Sequence, residues 1–307
     1  MAKICIIGGA NIDICGKSNN PLRLHDSNPG KIETRFGGVG RNVAEVLCLL
    51  NQKVEFVTCF GNDEFGKALY EDCVNKGMDC TKAKFSKEAK SSIYLAIMDE
   101  NGELTLGMSD MRVLDEITQD DILQSINDLT EEDILIVDSN LREELIEVAL
   151  KNTKAKKVSD PVSASKCMRL KPYLKYIDIF KPNQYEAEML SGIHIKDEES
   201  AKQCMDWFLQ EGVKEILISL AEKGVLVGTK DRKVWYRHRQ VNVSNVTGGG
   251  DSLLGMYLSK RLEHMETFQA IYHAIIAAIQ KIEYCEIHAI ETIDDLVDEM
   301  GINGVEL

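Results

Sequence analysis

Short, nearly continuous apolar runs alternate along this chain with longer segments whose apolar residues recur at helical spacing. Ile4–Ile7, Val54–Cys59, Ile134–Val137, Ile177–Phe180 and Ile216–Ile218 read as strands, and Val158 marks a further one. Strands that are apolar on both sides must be covered on both faces, as in a parallel sheet between helix layers. Between them, Val43, Val46, Leu47 and Leu50 fall on one helix face, and Ala201, Met205, Phe208 and Leu209 on another. Residues 65–76, 141–150, 252–262 and 266–283 also suit helices. This order predicts an α/β fold with a mostly parallel central sheet and helices on both sides.

Two stretches break the rhythm. Residues 11–36 and 91–108 read as extended segments with turns, including a hairpin in which Asp99-Glu-Asn-Gly102 joins Ile93–Met98 to Leu104–Leu106. They are expected to project as a small β lid from a single domain spanning 1–307. Composition narrows the partners. The formal charge of −14 disfavours non-specific binding to nucleic-acid phosphates or an anionic membrane. No apolar run has the length of a signal peptide or a membrane span. The nine cysteines are scattered without CxxC spacing, as expected of small buried residues in a reducing cytoplasm.

In an open α/β sheet, ligands bind beyond the carboxyl ends of the strands. Polar residues gather there: Gly8, Gly9, Asn11 and Asp13; Asp138, Ser139 and Asn140; Ser159, Asp160 and Pro161; Lys181, Asn183 and Glu186; and Ser219. Any one of them is commonly a helix cap or turn residue, but five sets on one edge favour a ligand site. The sharpest local feature is Asn245-Val-Thr247-Gly248-Gly249-Gly250-Asp251-Ser252, where three glycines run into an amphipathic segment. Glycines let backbone N–H groups turn toward an anion, and a helix start adds unpaired donors with partial positive charge. The same residues also suit a flexible loop with an aspartate cap. No Gly-Lys-Ser/Thr follows, so this is not a Walker A loop. A second glycine cluster, Gly37-Gly38-Val39-Gly40-Arg41-Asn42, leads into another helix, and Asn42 there suits a hydroxyl-rich ligand or a plain turn.

In order along the chain, Gly9-Ala-Asn11-Ile-Asp13, the Gly37–Asn42 block with Gly61-Asn-Asp63-Glu-Phe-Gly66, Asn183-Gln-Tyr-Glu186 and Thr247–Asp251 resemble the motifs of the ribokinase-like (PfkB) carbohydrate kinases. The resemblance extends over essentially the full length and implies a three-layer sandwich with a β lid. Within the family, the chain is most similar to members that phosphorylate the 5′-hydroxyl of pseudouridine, through His25–Ile32, Ser109-Asp110-Met111, Asp160–Lys166 and Lys181-Pro-Asn183. Ribose, uridine, adenosine or a hexose are the competing acceptors, and a non-catalytic nucleoside-binding protein is the competing class.

The resemblance implies Asp251 as the base that accepts the proton of the attacking hydroxyl. The backbone of Gly248, Gly249 and Gly250 would hold the transferring phosphate, and Asn11, Asp13, Gly38 and Asn42 the ribose. Asn183, Ser219, Gly224 and Thr247 would serve ATP, with Glu186 organising Mg²⁺. It further implies a monovalent cation, K⁺, near Asn245, and the lid suggests a homodimer paired through it. Gly249 stands where most relatives have alanine, Asn51 where glycine is usual and Ser109 where asparagine is expected; the first is expected to loosen the glycine loop. A carboxylate near pKa 4 at a helix start is a weak base for an alcohol, so Asp251 is expected to act more by orientation than by basicity.

Overall fold

The computed structural model describes residues 2–244, 247–288 and 292–307. Its main sheet runs in the order Asn303–Glu306, Lys233–Arg237, Val225–Gly228, Glu215–Ser219, Ile179–Phe180, Lys156–Asp160, Ile134–Asp138, Ile4–Ile7 and Val54–Val57. From Glu215–Ser219 to Val54–Val57 every neighbouring pair is parallel. The three pairs at the other end are antiparallel.

The continuous apolar runs have a direct cause. Side chains alternate across a strand, and both sides of this sheet are covered. Ile4, Ile6, Ile134 and Ile136 enter one core, with Val43 and Leu47 of helix Val39–Leu49 and residues of helices Gly249–Leu262 and Thr267–Tyr284. Cys5, Ile7, Leu135 and Val137 enter the other, with Leu145 of helix Glu143–Lys151 and Phe208 of helix Glu198–Gln210. Each fully buried Ile or Leu contributes about 1.5–3 kcal/mol of transfer free energy; Glu55 and Ser159 are the polar residues buried at mid-strand among them.

The two rhythm-breaking stretches form a separate four-stranded sheet in the order Gly30–Gly37, Asn11–Ser18, Ile93–Met98, Leu104–Asp110. Cross-strand register gives it two unlike faces. Asp13 is opposite Arg35, whereas Ile14 aligns with Leu95 and then Met108, and Gly16 with Ile32.

Several expectations shift. The strand expected over Val54–Cys59 stops at Val57, and Cys59–Phe60 pairs instead with Lys84–Phe85. The strand expected from Ile177 is short, because the turn Lys171–Tyr176 runs up to it and only Ile179–Phe180 pairs. The first lid segment leads straight into helix Val39–Leu49 through Gly38. The antiparallel edge strands after Ser219 gave no signal that was read from the sequence. Asn51 has φ 60°, the left-handed conformation that asparagine tolerates in place of glycine.

Candidate active site

Loops at the carboxyl end of the parallel strands converge on the start of helix Gly249–Leu262. At the end of strand Ile134–Asp138, the buried Asp138 carboxylate takes three backbone N–H groups: Oδ2 accepts from Gly9 at 2.8 Å and Gly40 at 3.0 Å, and Oδ1 from Asn140 at 2.9 Å. One side chain therefore ties the loop after the first strand to the start of helix Val39–Leu49. Gly38, which caps that helix, has φ 102°, and a Cβ there would lie 2.4 Å from the Gly9 carbonyl oxygen. Only glycine meets both demands.

This join sets the next two contacts. Asn11 is buried at the start of its lid strand and donates from Nδ2 to Asp13 Oδ1 at 2.5 Å. On helix Val39–Leu49, Asn42 Nδ2 donates to Asp251 Oδ2 at 2.8 Å. Asp13, Arg35, Arg41, Asn42, Thr247, Gly248 and Asp251 line one cavity of about 520 Å³ between the lid and the two helices. The polar lid face thus looks inward. A larger cavity of about 670 Å³ lies at the opposite edge of the sheet, beside Asp133, Lys156 and Arg261, away from every motif residue.

Asp251 lies in the first turn of its helix and is buried. Burial pushes its pKa up to about 7, Asp160 and Asp138 add to the rise, and the Asn42 hydrogen bond and Lys181 oppose it. The expectation of a value near 4 is therefore overturned. The helix start does favour negative charge, but desolvation of an enclosed carboxylate outweighs it. Asp251 is matched to taking up a proton near neutral pH.

Beside it, Lys181 Nζ stands 2.9 Å from Asp160 Oδ2, both side chains being buried. The same ammonium lies 3.2 Å from where a Cβ on Gly250 would project, so the glycine run is open toward it. Burial works against the Lys181 charge, but Asp160, Glu186 and Asp251 outweigh it and hold the pKa above the ordinary lysine value. Asn183 and Glu186 form a reciprocal capping box at helix Gln184–Ser191: Asn183 Oδ1 accepts from the Glu186 N–H at 2.9 Å, and Glu186 Oε2 from the Asn183 N–H at 2.8 Å. Burial raises Glu186 to about 7, Asp160 adds to it, and Lys181 and the Asn183 N–H pull it back.

That donor set fits a hydrated Mg²⁺. Among the described residues no group of three or more His, Cys, Asp or Glu side chains is placed to hold a metal. Mg²⁺ keeps several waters and shares its remaining positions between one or two carboxylates and phosphate oxygens. The buried Glu186 carboxylate, which shares the Lys181 ammonium with Asp160, suits that arrangement as the one carboxylate holding the ion through water.

Ser219 ends strand Glu215–Ser219 and bridges to Asn183, its N–H bonding to the Pro182 carbonyl at 3.1 Å. Gly224 follows the turn Ala221–Lys223, where its N–H reaches the Ala221 carbonyl at 3.1 Å; it does not line the cavity. At Gly249 a Cβ would stand 2.9 Å from Ile282 Cδ1, so the end of the Ile282 side chain would have to shift to admit an alanine methyl. Asn245 lies outside the described residues. Sequence reading put Asp138, Asp160 and Lys181 on the correct edge but gave them no roles; their position just after apolar strands was the available signal. Arg41 stands inside the second glycine motif, which by itself gives the arginine no role.

A glycine-lined helix start facing an enclosed carboxylate, under a lid with a polar inner face, defines a site for moving a phosphate to a small hydroxyl compound. The chain belongs to the pfkB family of carbohydrate kinases, whose family model matches residues 1–284. It is a ribokinase-like sugar or nucleoside kinase, a phosphotransferase with an alcohol group as acceptor. The chain is 33% identical over 273 residues to the pseudouridine kinase of Escherichia coli (strain K12), covering 88% of this chain and 87% of that one. A crystal structure of a putative sugar kinase from Clostridium perfringens superposes with a TM-score of 0.80 at 29% identity, covering 100% of this chain and 98% of that one. The Arabidopsis thaliana ribokinase complexed with ribose and ATP shares the fold, with a TM-score of 0.80 at 19% identity over 97% of this chain and 99% of that one.

Proposed function

We propose that this kinase transfers the terminal phosphate of ATP to the 5′-hydroxyl of pseudouridine. The observation that carries the chemistry is Asp251, a buried carboxyl raised to about 7 directly after three glycines. The acceptor rests on the similarity to the Escherichia coli pseudouridine kinase.

In this reading Asn11, Asp13, Gly38 and Asn42 hold the ribose so that its 5′-oxygen faces Asp251. The oxygen attacks the terminal phosphorus, the bond from that phosphorus to the bridging oxygen of ADP breaks, and the hydroxyl proton passes to Asp251. Backbone N–H groups of Gly248, Gly249 and Gly250 take the charge of the moving phosphoryl group, with Lys181 beside Gly250 adding a cation. Such preorganised donors supply most of the rate enhancement in phosphoryl transfer. Asn183, Ser219, Gly224 and Thr247 would serve ATP. Mg²⁺, held through water by Glu186, would screen charge on the nucleotide phosphates. K⁺ near Asn245 stays part of the proposal, as does a cytoplasmic location; no described helix is long and apolar enough to cross a membrane.

The outer lid face supports pairing in a homodimer, because Ile32, Leu106 and Met108 are 74%, 56% and 63% exposed there. Sedimentation of Met108→Lys beside the unaltered protein tests this, and an unchanged dimer, or a monomer in both, refutes it.

The test of function is ATP-dependent phosphorylation of pseudouridine, uridine and ribose side by side, with Mg²⁺ and equal acceptor concentrations. A strong preference for pseudouridine is expected. Preference for ribose or uridine discards the acceptor and keeps the kinase. Asp251→Asn is expected to lower turnover by roughly 10²–10⁴; near-normal turnover in that variant refutes the assignment of the base.

A further inference from the structure

Arg41 is one of the few charged side chains in the interior, at 4% exposure, and it borders the cavity. Its Nη1 donates to Asn42 Oδ1 at 3.0 Å and to Glu45 Oε2 at 2.5 Å, and its Nη2 donates to Asp72 of helix Glu64–Asn75. Glu45 is held in turn by Lys76 Nζ at 2.5 Å. Consecutive side chains on a helix do not ordinarily face one another. Arg41 reaches its neighbour Asn42 because carboxylates on its own helix and on the next one draw the guanidinium across.

The consequence follows from donor inventory. A guanidinium only donates, whereas an asparagine amide has one accepting end and one donating end. With Arg41 fixed on the oxygen, the amide nitrogen must point away from it, toward Asp251, where Nδ2 donates to Oδ2 at 2.8 Å. An amide turned the other way would set a carbonyl oxygen against a carboxylate oxygen. We infer that Arg41 is a positioning residue that locks the Asn42 amide in the orientation that donates to Asp251, and so holds the Asp251 carboxylate in place for the attacking hydroxyl. The inference rests on Asp251 being the base.

The competing reading makes Arg41 a tie between two helices and nothing more. Arg41→Lys separates the two, because a lysine keeps the positive charge near Glu45 and Asp72 but is a point charge without the planar fork. Turnover and the KM for ATP are measured, with pseudouridine or the acceptor preferred in the panel above, in Arg41→Lys, Asn42→Ala and the double variant. Arg41→Lys is expected to lower kcat about tenfold, the scale of one hydrogen bond to a charged group, with the KM for ATP unchanged. Asn42→Ala is expected to lose at least as much. The double variant is expected to match Asn42→Ala alone, since Arg41 acts only through that amide. Full kcat in Arg41→Lys, or losses that multiply in the double variant, overturns the inference. If Arg41→Lys does not fold, Arg41→Gln enters the same cycle under the same criteria. The outcomes stay distinct from a failure of the base assignment: an inactive Asp251→Asn beside a fully active Arg41→Lys rejects only the positioning role, whereas an active Asp251→Asn rejects both.

Discussion

Replacing Asp251 with asparagine should abolish most turnover and, at alkaline pH, stabilise the protein. The free-energy cost of the carboxylate can be worked from its surroundings. An ordinary aspartate titrates at 3.8, and burial with the nearby Asp160 and Asp138 charges moves Asp251 to about 7. Between those values the native state holds a proton that the unfolded chain has released, so stability falls as pH rises. Below 3.8 both states are protonated and the effect vanishes; above about 7 both are ionised and it is complete. A gap of about three pH units, at about 1.4 kcal/mol for each, amounts to about 4 kcal/mol. Asparagine carries no charge to desolvate but keeps an oxygen to accept from Asn42, so a gain of about 2–4 kcal/mol at pH 8 is expected. Urea unfolding of both proteins, followed by circular dichroism from pH 4 to pH 8, measures it. The difference should grow with pH and flatten near pH 8. An Asp251→Asn variant less stable than the original at pH 8, or a difference independent of pH, would refute the reasoning.

The same protonation should appear in catalysis: kcat/KM for the acceptor is expected to fall on the acid side of about pH 7, because Asp251 and Glu186 are both raised to about 7, and a flat profile down to pH 5 contradicts it. Gly38→Ala combines φ 102° with a Cβ 2.4 Å from the Gly9 carbonyl oxygen and should cost at least about 3 kcal/mol, read as a lower urea midpoint; an unchanged midpoint speaks against the tight junction. Gly249→Ala should lose about 1–3 kcal/mol through overpacking on Ile282, and Ile282→Val should recover part of it, both seen as shifts in Tm; a neutral Gly249→Ala would restore the loosened-loop view.

Much of the fold was determined by sequence through one physical signal. Runs such as Ile134–Val137 can be satisfied only by cover on both faces, and that demand specifies a parallel sheet between helices. The lid was legible for the converse reason, since 11–36 and 91–108 lack helical period and carry turn residues. Glycine and asparagine positions were legible where backbone geometry leaves few alternatives, as at Gly38 and Asn51. The edge strands Val225–Gly228, Lys233–Arg237 and Asn303–Glu306 were not: the first two follow Glu215–Ser219 as short consecutive antiparallel strands without a strong turn signal, and Asn303–Glu306 joins Lys233–Arg237 across a long sequence separation. The site divides in the same way. Asp251 and its glycines, Asn183 and Glu186 stand in contiguous motifs that sequence displays. The pKa of Asp251 does not, because it depends on Asp160, Asp138 and Lys181, brought alongside from distant strand ends. Sequence placed the carboxylate at a helix start and so suggested an ordinary acid. Only the tertiary structure buried it and set other carboxylates near it, and desolvation is a property of the packed molecule that no local pattern encodes.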